Sequence, residues 1–136
     1  MALLITPGAD EEIGPVVDAN GVERMPGSME ELRVARALNK LGHSFLYQFE
    51  VFGNSGSRGK QVLDFLVLST VPLATPLLVH GAFWHSGQLG SEDRLKEIIF
   101  ENAFRDTMNP LITIWAVDLQ TQEDANSSIR QHLGAA

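Results

Sequence analysis

The chain has 136 residues, 44% of them apolar and 20% charged, and carries a formal net charge of −7 from 17 acidic and 10 basic side chains. That length and balance exclude a disordered chain and leave room for one domain with a single core. The acidic surplus excludes a protein that coats nucleic acid by bulk charge, since duplex binding gains most of its affinity from neutralised phosphates. With no cysteine, a disulfide framework and a thiolate zinc site are excluded too.

Met1 to Pro7 has no basic start and is too short for a signal peptide, so the expected compartment is the cytoplasm. Residues 1–27 hold Pro7, Gly8, Gly14, Pro15, Gly21, Pro26 and Gly27 and read as an irregular arm, with a short strand at Pro15-Val16-Val17. Residues 28–136 read as the folded domain. Ser28 opens a helix through a capping box with Glu31. Val34, Ala37, Leu38 and Leu41 recur at helical spacing, and Gly42 stops it. Glu30 and Glu31 fall near the edge of the apolar stripe, where a carboxylate faces a cleft or compensates the helix dipole. Arg33, Arg36 and Lys40 share a helical spacing. Arg58 and Lys60 flank the glycine-rich stretch between the next two strands. These two sets are the basic patches that could meet phosphate.

Phe45 to Phe52 is aromatic and mostly alternating, a strand. Gly53 to Gly59 is a flexible connection that lacks the lysine-serine ending of a phosphate loop. Lys60 to Leu68 returns as a second strand, so the pair forms a hairpin. Asp64 interrupts its apolar run, and a buried acid there needs a partner, a hydrogen-bond network or a metal. After a proline-broken link, Pro76 to His80 forms a third strand leading into Gly81-Ala82-Phe83-Trp84-His85. The apolar run Phe65 to Trp84 approaches the length of a membrane span, but Pro72, Pro76 and His80 interrupt it, so no membrane helix is expected. A helix starts near Ser91, with Asp93 and Glu97 four residues apart. Leu111 to Val117 is apolar throughout, as a central parallel strand would be. Gln122 to Leu133 closes the chain as a polar helix.

The expected fold is therefore mixed α/β (α+β): helix, strand, strand, strand, helix, strand, then a C-terminal helix. An aspartate with a backbone carbonyl suits magnesium, which uses few protein ligands, and a neighbouring imidazole suits general-base chemistry. Glu31 on the opening helix, Asp64 on the second strand and Val79-His80-Gly81-Ala82-Phe83-Trp84-His85 after the third resemble the PD-(D/E)XK nuclease superfamily. The resemblance is nearest to its very-short-patch repair (Vsr-like) and EDxHD endonucleases and covers roughly residues 28–118.

The resemblance implies a restriction-endonuclease-like core and a DNA endonuclease or nickase that hydrolyses phosphodiester bonds with a magnesium-bound water, manganese serving as a substitute. It implies Asp64 and the main-chain carbonyl of Val79 as metal ligands, His80 as general base and His85 at the phosphate or leaving group. Glu31 would order water at the metal, with Glu30 as the alternative. Asp93, or else Glu97, would orient a histidine. Arg33, Arg36, Arg58 and Lys60 are the candidate DNA contacts. Lacking cysteine, the chain is not expected to hold the structural zinc of the repair enzymes, and Leu63 stands where the family has proline before the aspartate. The expected partners are DNA and, given the acidic charge, a protein that supplies DNA affinity, in a bacterial or phage-infected cell. The competing expectation is a catalytically weak or inactive interaction protein on the same fold.

Overall fold

The structure is a computed structural model and describes residues 11–52, 60–80 and 106–136. Among these, a four-stranded sheet is packed on one face by two helices. Strands β1 (Val16–Val17) and β2 (Glu23–Arg24) pair antiparallel in the arm. Helix α1 (Met29–Lys40) follows, then β3 (Phe45–Phe52), β4 (Lys60–Val67), β5 (Thr75–His80) and β6 (Ile112–Trp115), and last helix α2 (Gln122–Leu133). The sheet order is β3-β4-β5-β6, with the first two pairings antiparallel and β5-β6 parallel. This is a mixed sheet in an α+β domain. No helix among the described residues is long and apolar enough to cross a membrane.

Helix α1 begins where its sequence says it should. The Ser28 hydroxyl accepts the Glu31 N–H at 3.1 Å, satisfying one of the donors that a helix start leaves unpaired. Gly42, at φ 82°, takes the left-handed turn after the C-cap residue Leu41. Leu32, Val34, Ala35, Ala37 and Leu38 are buried and meet Phe45, Phe65, Val67, Leu77 and Ile114 from the sheet, and Ala125 and Ile129 from α2. Each large side chain in this core contributes roughly 1.5–3 kcal/mol by leaving water. Phe45 meets Phe65 edge-on, with ring centroids 5.5 Å apart.

The arm is tied down rather than separate. Val16 is buried in the same core, and Glu11 forms a two-pronged pair with Arg33, at 2.9 Å to Nε and 2.7 Å to Nη2. The fourth strand departs from the sequence expectation. It is only four residues long and, among the described strands, stands last in the sheet order rather than in its centre. Trp115 and Val117 are exposed, and Ala116–Asp118 winds into a 3-10 turn. Apolar content alone marked it as central; among the described residues β5 is the strand that pairs with it.

A break in alternation positions the site. The β3-β4 register pairs Tyr47 with Phe65 and Phe49 with Leu63, and skips Gln48 and Asp64 between them. Gln48 sits at φ 53°, a conformation that costs a non-glycine residue about 1–2 kcal/mol. On one side of the skip, Tyr47 and Phe65 face the helices while Leu46 and Leu66 face away. On the other side, Phe49 and Leu63 share the face of Leu46 and Leu66. Both strands change phase at one level, and Asp64 is the residue at that level on β4.

Candidate active site

Asp64 sits at a fork. Strands β4 and β5 pair from Val67-Thr75 to Phe65-Leu77 and no further, although both continue. Beyond the last pair, the Asp64 carboxylate takes the place of the ladder, with Oδ2 accepting the Val79 N–H at 2.6 Å. In an extended strand the N–H and C=O of one residue face the same neighbour. The Val79 carbonyl therefore belongs to the strand edge that Asp64 occupies. Burial pushes the Asp64 carboxyl up to about 7, the Val79 N–H offsets part of that, and the Glu31 charge adds to the rise.

Glu31 comes to this site from the first turn of α1. Its Oε1 accepts the Tyr47 hydroxyl at 2.6 Å, and the Ser28 hydroxyl lies 3.3 Å from Oε2. Glu30 faces elsewhere, its carboxylate 4.0 Å from Arg33. Of the two acids considered from sequence, Glu31 is the one whose charge reaches Asp64. His80 ends β5, one residue after Val79 and in register with Trp115 of β6, so its backbone lies at the same strand end. The side chains of His80 and Lys60 lie outside the described residues, as do His85, Asp93, Glu97 and Arg58 entirely.

Arg33 corrects one expectation. It is 6% exposed, paired to Glu11 and donating to the Leu119 carbonyl at 2.9 Å. A guanidinium satisfied in this way is not presented to a phosphate; its work is to join the arm, α1 and the segment before α2. Arg36 is half-buried and donates to the Glu12 carbonyl at 2.5 Å.

Tyr47 is the residue that sequence reading passed over. An aromatic in an alternating strand reads as core, and Tyr47 is indeed buried, its ring 5.0 Å from that of Phe65. Its hydroxyl nevertheless accepts the Gly27 N–H at 3.0 Å and donates to Glu31. The only hint available in the sequence was that a buried tyrosine needs a partner for its hydroxyl. Burial and the Glu31 carboxylate hold that phenol well above its usual range, so it stays a donor.

Two other polar places are structurally accounted for. His43 is buried, with Nδ1 2.7 Å from Ser69 Oγ and Nε2 2.8 Å from the Gly134 carbonyl. Because a carbonyl only accepts, Nε2 carries the proton toward it. A groove of about 600 Å³ beside His43 includes Thr70, Thr75, Asn109 and His132. There the Asn109 amide donates to the Leu73 carbonyl at 2.7 Å and to Thr75 at 3.0 Å, and Thr70 donates to Leu73 at 2.7 Å. Those groups hold a loop together.

Among the described residues no group of three or more histidine and acidic side chains is placed to hold a metal by itself. The donors at the fork nevertheless fit a hard cation. They are a partly buried carboxylate with one N–H donor, a second carboxylate whose charge reaches it, and a main-chain carbonyl, all oxygen ligands of the kind magnesium accepts in small number. No protein-family model, curated protein or solved structure matches the chain.

Proposed function

We propose that this protein is a magnesium-dependent DNA endonuclease or nickase of the PD-(D/E)XK type, nearest to the Vsr-like and EDxHD enzymes. One observation carries the reading: Asp64 occupies the β4-β5 fork within reach of the Glu31 charge, bonded to Val79, the residue before His80. The order of α1, β3, β4, β5 and β6 supports a restriction-endonuclease-like core. The His80-to-His85 segment supports the branch.

Asp64 and the Val79 carbonyl would hold the ion, magnesium or in its place manganese. When bound, the ion supplies positive charge at the phosphate and lowers the pKa of nearby water. The remaining steps belong to the chain. His80 takes a proton as water attacks phosphorus, the phosphorus–oxygen bond to the leaving sugar breaks, and His85 returns a proton to that oxygen. Glu31 orients water beside Asp64, and Asp93, or else Glu97, orients a histidine. Such work on DNA belongs in the cytoplasm.

The purified protein is expected to nick supercoiled plasmid with magnesium and not with EDTA, and Asp64→Ala and His80→Ala should each abolish nicking. Cutting at the wild-type rate by both variants would overturn the assignment. A specific observation favours a nuclease module whose DNA affinity comes from a partner protein. The net charge is −7, and Arg33 is consumed inside the fold. A basic partner should then raise the cutting rate. The alternative, an inactive interaction protein, predicts no magnesium-dependent nicking with or without a partner.

A further inference from the structure

The Glu31 carboxylate is seated from three sides. The Tyr47 hydroxyl donates to Oε1 at 2.6 Å, and the Ser28 hydroxyl lies 3.3 Å from Oε2. Gly27 closes the third side, for a Cβ at that position would stand 3.2 Å from Oε2 and 3.3 Å from Oε1. A capping box brings the Glu31 carboxylate back toward Ser28, but it requires neither the Tyr47 hydroxyl bond nor the close approach of Gly27.

Tyr47 is itself fixed. The Gly27 N–H donates to its oxygen at 3.0 Å, which turns the hydroxyl proton toward Glu31. The ring is clamped against Phe65, its register partner on β4. Phe65 is the residue after Asp64. One strand pair therefore sets both the partly buried aspartate and the donor that holds the acid whose charge reaches it.

We propose that Tyr47 is a positioning residue, which holds the Glu31 carboxylate at the Asp64 centre through its hydroxyl and so sets how tightly that centre binds a divalent cation. The proposal rests on the nuclease reading for the presence of the cation, and on the geometry above for the role of Tyr47. Removing a hydrogen-bond partner of a metal ligand typically changes affinity by about 10–100-fold, and Tyr47, acting through an acid that orients water at the ion, belongs at the lower end of that range.

The test is calorimetric titration of Mn²⁺ into wild type, Tyr47→Phe, Glu31→Gln and the double variant. Tyr47→Phe keeps the ring on Phe65 and removes only the hydroxyl. It should weaken Mn²⁺ binding about 10-fold, and nicking should recover as Mn²⁺ is raised to saturation. In the Glu31→Gln background the same change should cost less than about 2-fold, because its route of action is already gone. Gly27→Ala crowds the carboxylate directly and should also weaken binding in a Glu31-dependent way, so the proposal does not hang on one variant. Unchanged binding by Tyr47→Phe, or an equal loss in both backgrounds, overturns the role of Tyr47. Absence of Mn²⁺ binding by the wild type overturns the nuclease reading instead, and is seen before any variant is made.

Discussion

Asp64 places a cost inside the fold that a cation would relieve. Burial, with the Glu31 charge adding to it, pushes its carboxyl from 3.8 up to about 7. Between about pH 4 and pH 7 the unfolded chain has therefore lost a proton that the folded chain keeps. Stability falls as pH rises through that window and levels off above it, by an amount on the order of 2–4 kcal/mol. Asp64→Asn should remove this slope and be the more stable protein at pH 8, the usual balance of function against stability at such sites. Chemical denaturation of both proteins at pH 5 and pH 8 checks it; an equal slope in the variant would contradict the burial argument. Millimolar magnesium should stabilise the wild type more at pH 8 than at pH 5. Asp64 was legible in the sequence because an acid within Val62-Leu63-Asp64-Phe65-Leu66 has no inexpensive reason to be there. Tyr47 was not, since its hydroxyl partner Glu31 lies 16 residues away on another element.

The elements that carry strong local signals stand where periodicity places them. The Ser28 cap and its apolar stripe account for α1, and Gln122–Leu133 is the expected last helix. What periodicity could not show is the phase change at Gln48 and Asp64, which alternation rules treat as noise until both strands are paired. It carries a stability consequence. Gln48 pays for a left-handed backbone at φ 53°, so Gln48→Gly should stabilise the hairpin by up to about 1 kcal/mol, while Gln48→Val should destabilise the protein. Thermal melts of the two variants separate these outcomes, and stabilisation by valine would contradict the geometry. Arg33 joins three elements, and Arg33→Ala would remove its two-pronged pair with Glu11 and its hydrogen bond to the Leu119 carbonyl. A loss of about 3 kcal/mol in urea denaturation is expected.

For the molecule as a whole, the proposed nuclease function makes charge the factor that would govern an approach to DNA. With Arg33 engaged internally, the basic candidates left are Arg36, Arg58 and Lys60, against a net charge of −7. The acidic balance was legible from composition; that Arg33 faces inward was not, because its partner Glu11 comes from an arm that reads as mere punctuation. Each phosphate neutralised contributes about −0.9 to the slope of log K against log salt. Duplex binding by the isolated protein should therefore show a slope no steeper than about −3, measured by fluorescence anisotropy between about 50 and 200 mM salt. A much steeper slope would reveal a basic surface that these three residues do not provide.

The central claim is that Asp64 and the Val79 carbonyl meet one divalent ion at the fork of β4 and β5. Anomalous scattering from a crystal soaked in Mn²⁺ tests it most directly. The account predicts a peak with both oxygens about 2.1 Å away, with Glu31 still held by Tyr47 beside it. A crystal showing Mn²⁺ bound elsewhere, with Asp64 still closed on the Val79 N–H and no ion between them, would contradict it.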